Sequence, residues 1–139
     1  MSGLDLPEGL KASFAADDDG CRLVAGRCPR TGRVFFPAPA YCPCCLEPPE
    51  RRALSGRGRV HAFTVVRTKA PFGLPEPYAV GYVDIDAADL RVFGLFAPEA
   101  VAALETGSEV DLALRELGTD AAGRPCLRPV FTTGAPTHG

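Results

Sequence analysis

The residues best suited to chemistry in this sequence are cysteines, most of them gathered between Cys28 and Cys45. Two Cys-Pro turns flank a short apolar stretch: the first knuckle is residues 28–31 and the second knuckle is residues 42–45. Knuckles of this kind turn the chain tightly enough for their thiolates to converge on one point, as in a zinc ribbon. The spacing therefore predicts a rubredoxin-like zinc-ribbon module.

The first knuckle departs from the usual pattern of two C-x-x-C pairs, because Thr31 stands where a fourth thiolate is expected. A neutral hydroxyl is a poor zinc ligand, and structural zinc is almost always held by four nitrogen or sulfur donors. Cys44 should point away from the metal, and Cys21 starts about 20 Å from the knuckle if the intervening residues form a strand. Two interpretations stay open: zinc on three thiols plus a further ligand, or a metal-free ribbon remnant. The three thiols are those of Cys28, Cys42 and Cys45.

Composition narrows the class of protein. The chain has 139 residues, of which 46% are hydrophobic and 23% charged, as in a globular protein with a real core. A net charge of −2 lacks the basic excess of proteins that bind phosphate backbones. No apolar run has the length of a membrane span, and residues 1–5 lack the features of a signal peptide. We therefore expect a cytoplasmic protein without nucleic-acid or membrane partners, whose six cysteines are thiols or metal ligands.

Local patterns predict a mainly β protein that begins with a short helix. Leu6, Leu10 and Phe14 recur at four-residue spacing within residues 4–16, which predicts an amphipathic helix. Such a helix is too short to be stable alone, so it must pack on its own domain or on a partner. Residues 17–19, all aspartate, are expected to form a solvated turn rather than a metal loop.

Short strands fill the rest of the chain. Two strands, at 21–26 and 33–36, flank the first knuckle, and prolines then exclude regular structure as far as Glu50. Beyond a boundary near Arg51 and Arg52, the predicted elements are strands at 58–68, 78–85, 91–96, 109–117 and 126–132, with a helix from Pro98 to a cap at Gly107. Three strands, a helix and two strands is the order of the OB-fold, a five-stranded Greek-key barrel.

This order divides the chain into four parts. They are an N-terminal helical segment (1–20), a zinc-ribbon-like module (21–52), an OB-fold domain (53–132) and a flexible tail (133–139).

A complete catalytic set is missing from the sequence. Nucleophilic catalysis needs a base beside its nucleophile, and the two histidines are His61, within a predicted strand, and His138, in the tail. The aspartates between residues 84 and 89 suit a hairpin turn, and Cys126 suits a buried, inert thiol. We therefore expect no catalysis by this chain alone.

Two surface features remain. A basic cluster at the ribbon–barrel junction can contact phosphates or acidic partner residues, although a solvated face explains it equally well. Its members are Arg51, Arg52, Arg57 and Arg59. The loop at 69–77 contains three prolines and carries Phe72 and Leu74 with no obvious core to enter. Exposed apolar residues on a stiff loop favour a contact surface over simple packing on the barrel.

An ordered set of segments resembles a known family. They are Arg27-Cys28 with Gly32, Val34-Phe35-Phe36-Pro37, Tyr41-Cys42-Pro43, Leu54-Ser55-Gly56-Arg57-Gly58 with Val60, Phe63-Thr64-Val65-Val66, Pro77-Tyr78-Ala79-Val80 and Arg128-Pro129-Val130-Phe131. Each is weak alone, but as a set they resemble the ribbon-plus-OB proteins called the "domain of unknown function 35" family. The resemblance covers most of the chain, from Gly20 to about Phe131.

The resemblance implies a non-catalytic subunit that sits against a thiolase-like or ketoacyl-synthase-like enzyme. There it would help form the acyl-CoA (pantetheine) channel, while a cysteine of the partner makes or breaks the carbon–carbon bond. The coenzyme A thioester would be shared with that partner, and candidate contacts to it are Arg57, Arg59, Lys69 and Phe72. The family's metal ligands carry over to Cys28, Cys42 and Cys45, with Thr31 at the fourth position.

Two rival hypotheses come from other classes. OB barrels also bind single-stranded nucleic acid through aromatic side chains, but near-neutral charge and 8% aromatic residues disfavour this use. A free-standing thiol or zinc enzyme would have to rely on Cys42 and Cys45. The acyl group, the direction of the reaction and the stoichiometry are properties of the partner enzyme under the leading hypothesis.

Overall fold

The structure is a computed structural model that describes residues 10, 13–17, 20–43, 45–69, 71–120 and 122–133. Within these residues the chain is mainly β-structure, with short 3-10 helices at Pro71–Gly73 and Pro98–Ala103. The strands, in chain order, are β1 (Phe14–Asp17), β2 (Gly20–Arg27), β3 (Val34–Phe35), β4 (Glu50–Ser55), β5 (Gly58–Val66), β6 (Tyr78–Ile85), β7 (Leu90–Leu95), β8 (Glu109–Thr119) and β9 (Pro125–Thr133).

The ribbon half of the molecule is an antiparallel sheet built around β2. Strand β4 pairs along one edge of β2, and β1 followed by β3 pairs along the other edge. Strand β3 is only two residues long, because Pro37 cannot donate a ladder hydrogen bond. The predicted strands on either side of the first knuckle are confirmed.

The second half is a five-stranded antiparallel sheet in the order β7-β6-β5-β8-β9. Its two outer strands approach each other where Phe96 bridges Phe131 and the Ala97 amide donates to the Phe131 carbonyl at 2.8 Å. The sheet is therefore a nearly closed barrel, and the predicted OB-fold is confirmed. The predicted strands agree closely with β5 to β9, and the 78–85 prediction agrees residue for residue with β6.

Both predicted helices need correction. Residues 14–16, assigned to the N-terminal helix, lie in β1 and pair with β2, while most of that predicted helix lies outside the described residues. The helix between β7 and β8 is one 3-10 segment, Pro98–Ala103, after which Leu104 turns extended and enters the core. Gly107 is not its cap but belongs to the following turn, where its amide donates to the Val60 carbonyl.

Strand β4 was not predicted. It begins at Glu50, directly after the proline-rich segment, and runs through Arg51 and Arg52, where the sequence suggested a boundary. Five of its six residues are exposed, so it lacks the alternation that identifies a half-buried strand. The chain passes from one sheet to the other at Gly56 and Arg57 instead.

One hydrophobic cluster joins the two sheets. Leu23 of β2 is fully buried with barrel residues such as Val83 and Phe131. At the corner between β4 and β5, a Cβ added to Gly56 would lie 2.3 Å from the Leu112 Cβ, so only glycine permits this close approach. The ribbon sheet and the barrel therefore share a core. No helix in the described part of the chain is long and apolar enough to cross a membrane.

Candidate metal centre and neighbouring surfaces

Backbone hydrogen bonds shape the first knuckle. The Cys28 amide donates to the Arg33 carbonyl at 2.7 Å, and the Gly32 amide donates back to the Cys28 carbonyl at 2.9 Å. Gly32 takes the left-handed conformation, with φ of 77°, which glycine adopts without strain. The Thr31 amide donates to Cys28 Sγ at 3.4 Å. The tight turn thus follows from local backbone pairing and one glycine.

The second knuckle repeats the two backbone–backbone hydrogen bonds of the first. The Cys42 amide donates to the Glu47 carbonyl at 2.7 Å, and the Leu46 amide donates to the Cys42 carbonyl at 2.7 Å. Leu46 is also left-handed, with φ of 65°, although it is not glycine. Position by position, Thr31 therefore corresponds to Cys45.

Together the knuckles bring three thiols close to one another, and we call this set the three-thiol cluster. The sulfur atoms of Cys28, Cys42 and Cys45 all lie within 4.8 Å of one another, and those of Cys28 and Cys45 are 3.7 Å apart. Tetrahedral zinc with Zn–S bonds of about 2.3 Å separates its sulfur ligands by roughly 3.8 Å. The donors and their spacing therefore fit zinc, and Cys28 and Cys42 are fully buried.

The thiols of Cys28 and Cys45, one from each knuckle, differ in acidity. The Thr31 hydroxyl, the Thr31 amide and other nearby donors lower the pKa of Cys28 from 9.0 to about 6. For Cys45, the Glu47 amide lowers the pKa, but burial and the neighbouring Cys28 and Cys42 outweigh it and raise the pKa. Hydrogen bonds thus favour the thiolate of Cys28, the form that binds metals.

The other cysteines have different positions. Cys21 is buried in the shared core on β2 and is not part of the three-thiol cluster. Cys126 is buried on β9 and lies 3.8 Å from the Leu117 carbonyl, as expected of a structural thiol. Cys44 lies outside the described residues.

The predicted basic cluster is partly neutralised. Arg52 pairs with Glu50 at 3.2 Å, and Arg59 pairs with Glu109 at 3.4 Å. Arg51 is exposed, on β4, as is Arg57 at the corner that follows it. These pairs leave less positive charge for an external phosphate than the sequence suggested.

The four candidate coenzyme contacts do not form one group. Arg57 and Arg59 lie at the start of β5, whereas Lys69 and Phe72 follow its end at Val66. From Arg59 to Val66 the strand advances seven residue steps, which is about 23 Å. A single small site therefore does not include all four side chains.

Phe72 instead belongs to an apolar groove between the ribbon sheet and the barrel, which we call the junction groove. Its volume is about 750 Å³, and its walls include Phe14, Phe36, Phe72, Leu74, Tyr78 and Phe93. The sequence indicated Phe72 and Leu74 as contact residues, but it gave no signal for the ribbon-side wall. Only the fold brings that wall to the loop.

The conformation of Phe72 is unusual. Its φ is 56°, a left-handed value that costs a non-glycine residue about 1 kcal/mol or more. The Thr119 hydroxyl donates to its carbonyl at 3.2 Å, and the guanidinium of Arg128 lies 5.2 Å from the centre of its ring. The side chain is nevertheless 52% exposed. The fold thus holds an aromatic ring at the surface, at the edge of the junction groove.

His61 lies beside a surface ion pair between Asp84 and Arg91. Its Nδ1 is 3.6 Å from Asp84 Oδ2, and the same carboxylate accepts a 2.7 Å hydrogen bond from Arg91. The Asp84 pKa is lowered chiefly by that Arg91 hydrogen bond, which stabilises the ionised carboxylate. An aspartate already held by arginine is poorly suited to orient a catalytic histidine.

The class of this protein is defined by a ribbon that carries a three-thiol cluster and shares its core with an OB barrel. A similar overall fold occurs in a solved structure of an Ltp2-ChsH2(DUF35) aldolase. The likeness has a TM-score of 0.66 at 24% sequence identity and covers 82% of this chain and 86% of that chain. This match supports the fold.

Sequence comparisons give the family. A model of the C-terminal OB-fold domain of ChsH2 matches residues 51–115. A DUF35 domain-containing scaffold protein of Methanothermobacter thermautotrophicus is 31% identical over 98 residues, covering 68% of this chain and 73% of the relative. A protein of the same description from Methanocaldococcus jannaschii is 28% identical over 102 residues, covering 70% of this chain and 71% of the relative. The chain belongs to the DUF35 family, which confirms the resemblance noted in the sequence.

Proposed function

We propose that this chain is a non-catalytic accessory subunit of a thiolase-like or ketoacyl-synthase-like enzyme. It docks beside the partner's active site and contributes surface to the channel for the acyl-CoA (pantetheine) substrate. The partner's cysteine makes or breaks the carbon–carbon bond. The names of the relatives support this role, since two are described as scaffold proteins and the solved structure is an aldolase of two named components.

The junction groove is the observation that carries the proposal. It is open, mostly apolar and bordered by two half-exposed aromatic side chains, Phe72 and Phe93. Aromatic side chains in such positions dominate binding at protein interfaces. An apolar wall also suits an acyl chain, and Lys69, two residues before the groove residue Pro71, offers a positive charge to the phosphates of coenzyme A.

Zinc, when bound to the three-thiol cluster, would have a structural role in this subunit. Cys28 comes from one knuckle, and Cys42 and Cys45 come from the other, so an ion on these thiols would cross-link the two turns. The ribbon sheet supplies Phe14 and Phe36 to the junction groove. Stabilising the knuckles would therefore help hold one wall of the proposed docking surface.

Co-expression with thiolase-like proteins encoded in the same genome tests the proposal. Size-exclusion chromatography should show a single complex, and the partner's activity should depend on it. Phe72→Glu and Phe93→Glu should each weaken the complex tenfold or more, since each places a charge in an apolar contact. Two separate peaks with unchanged partner activity would contradict the proposal.

Tyr41→Glu is the matched control for these variants. Tyr41 is 66% exposed and is not part of the junction groove, so it receives the same chemical change at a different place. The complex should tolerate this substitution. Equal weakening by all three variants would mean that the groove is not the specific contact.

A nucleic-acid module is the second candidate, and one observation favours it. Tyr82 and Phe93 face each other across β6 and β7 with ring centres 5.2 Å apart, and both are exposed. These are the second and third barrel strands, the face on which OB-folds bind oligonucleotides. Salt-sensitive binding of a fluorescent single strand that is lost in Phe93→Ala would favour this function; we expect no binding at physiological salt.

A further inference from the structure

We propose that the three-thiol cluster binds zinc through its three thiolates and leaves the fourth coordination position to an exchangeable ligand from solution. Thr31 is not a ligand but a hydrogen-bond donor to the Cys28 thiolate. The exogenous ligand is water or a small neutral or thiolate donor. This inference concerns the ribbon alone and does not depend on the proposed partner enzyme.

The correspondence of the two knuckles locates the missing ligand. Each begins with a buried cysteine, and each closes with the same pair of backbone hydrogen bonds and a left-handed residue. Cys45 contributes its sulfur to the three-thiol cluster from the position in the second knuckle that Thr31 holds in the first. A side chain at residue 31 is therefore placed to ligate, and whether it does depends on its chemistry.

Thr31 has other bonds to make. Its oxygen accepts the Arg33 amide at 3.3 Å, its own amide donates to Cys28 Sγ at 3.4 Å, and its hydroxyl helps lower the pKa of Cys28. A neutral hydroxyl is also a weak zinc donor beside thiolates. Within the described part of the chain, no other histidine, cysteine or carboxylate joins the three thiols.

Solvent reaches this side of the knuckle. Thr31 is exposed, and with Gly32, Arg33 and the turn at Ala88 and Asp89 it borders an open crevice of about 410 Å³. A water molecule occupies roughly 30 Å³ of liquid, so the crevice admits water and small organic ligands. A zinc site with four protein ligands is closed, whereas a site with three protein ligands keeps a position for an external one.

Cobalt(II) replacement of zinc in the full-length chain provides the test, because its absorption spectrum reports both thiolate number and geometry. Wild type should show three-thiolate charge-transfer bands, and imidazole or 2-mercaptoethanol should shift its ligand-field bands. Thr31→Cys should raise the charge-transfer intensity by about one third, since four thiolates replace three, and should abolish the response to added ligand.

Two further variants keep the inference falsifiable should Thr31→Cys not fold. Thr31→Val should leave the thiolate count unchanged but weaken zinc binding roughly tenfold to a hundredfold, as loss of a hydrogen bond to a ligand does. Cys44→Ser should change neither the spectrum nor the affinity. A spectrum that loses a thiolate in Cys44→Ser, insensitivity of the wild type to added ligand, or failure of the wild type to bind metal would each overturn the proposal.

Discussion

The two knuckles have the same backbone and different side chains. Both are closed by equivalent hydrogen bonds, with residue 31 in one corresponding to residue 45 in the other. They differ where the chemistry lies, threonine against cysteine, and at the left-handed position that follows, glycine against leucine. Backbone pairing therefore sets the turn, while side chains decide acidity, metal binding and strain separately in each knuckle.

The largest effect should come from the buried cysteine that opens each knuckle. Cys28→Ser and Cys42→Ser each leave only two thiols, so we expect both to abolish metal binding and lower the thermal midpoint. Metal content by mass spectrometry and thermal melting of the purified variants provide the measurements. Thr31→Ser, which keeps a hydroxyl, should behave as wild type. Full metal retention in one of the two cysteine variants would show that the knuckles do not contribute jointly.

The second prediction concerns the acidity of the Cys28 and Cys45 thiols in metal-free protein. The Cys28 pKa is lowered from 9.0 to about 6, chiefly by the Thr31 hydroxyl, whereas the Cys45 pKa is raised. Ultraviolet thiolate absorbance should show a first step near pH 6. That step should disappear in Cys28→Ser and move upward in Thr31→Val, but it should persist in Thr31→Ser.

The same shift makes stability depend on pH. Because the folded pKa of Cys28 lies below its unfolded value, its ionisation stabilises the fold fully above pH 9.0. This contribution declines as the pH falls and is lost below about pH 6. Thr31→Val should narrow the difference between unfolding midpoints measured at the two ends of this window. A wild-type-like pH profile in Thr31→Val would show that the hydroxyl is not the cause.

The sequence predicted the barrel better than it predicted the surfaces. Strands such as β6 bury alternate residues, which periodicity reveals, whereas β4 turns mainly Leu54 inward and gives no such pattern. Convergence of the thiols followed from cysteine spacing, because both knuckles are local turns. The junction groove could not be predicted, since Phe14, Phe72 and Phe93 are far apart in sequence and meet only through packing.

The next prediction concerns variants that exchange the residue types at the two left-handed positions, 32 and 46. Leu46 is 77% exposed and has φ of 65°, so Leu46→Gly relieves strain and should stabilise by up to about 1 kcal/mol. Gly32→Leu creates the same strain and should destabilise by about 1–2 kcal/mol. Urea unfolding measures both. Leu46→Ala is the control, because it removes the side chain but keeps the strain, and stabilisation by alanine equal to that by glycine would contradict the explanation.

The smallest effect should come from the ion pair that joins the knuckles. Arg30 and Glu47 are 2.9 Å apart but exposed, so solvent screens their attraction. The Arg30 hydrogen bond holds the pKa of Glu47 below its usual value, so Arg30→Gln should raise that pKa, as carboxyl NMR titration can show. A double-mutant cycle with Glu47→Gln should give a coupling energy that fades with added salt. The pair has no counterpart across the ribbon, because the positions equivalent to Glu47 and Arg30 are Arg33 and Cys44. A large, salt-insensitive coupling would mean that this one-sided contact, rather than the shared backbone pattern, aligns the two knuckles.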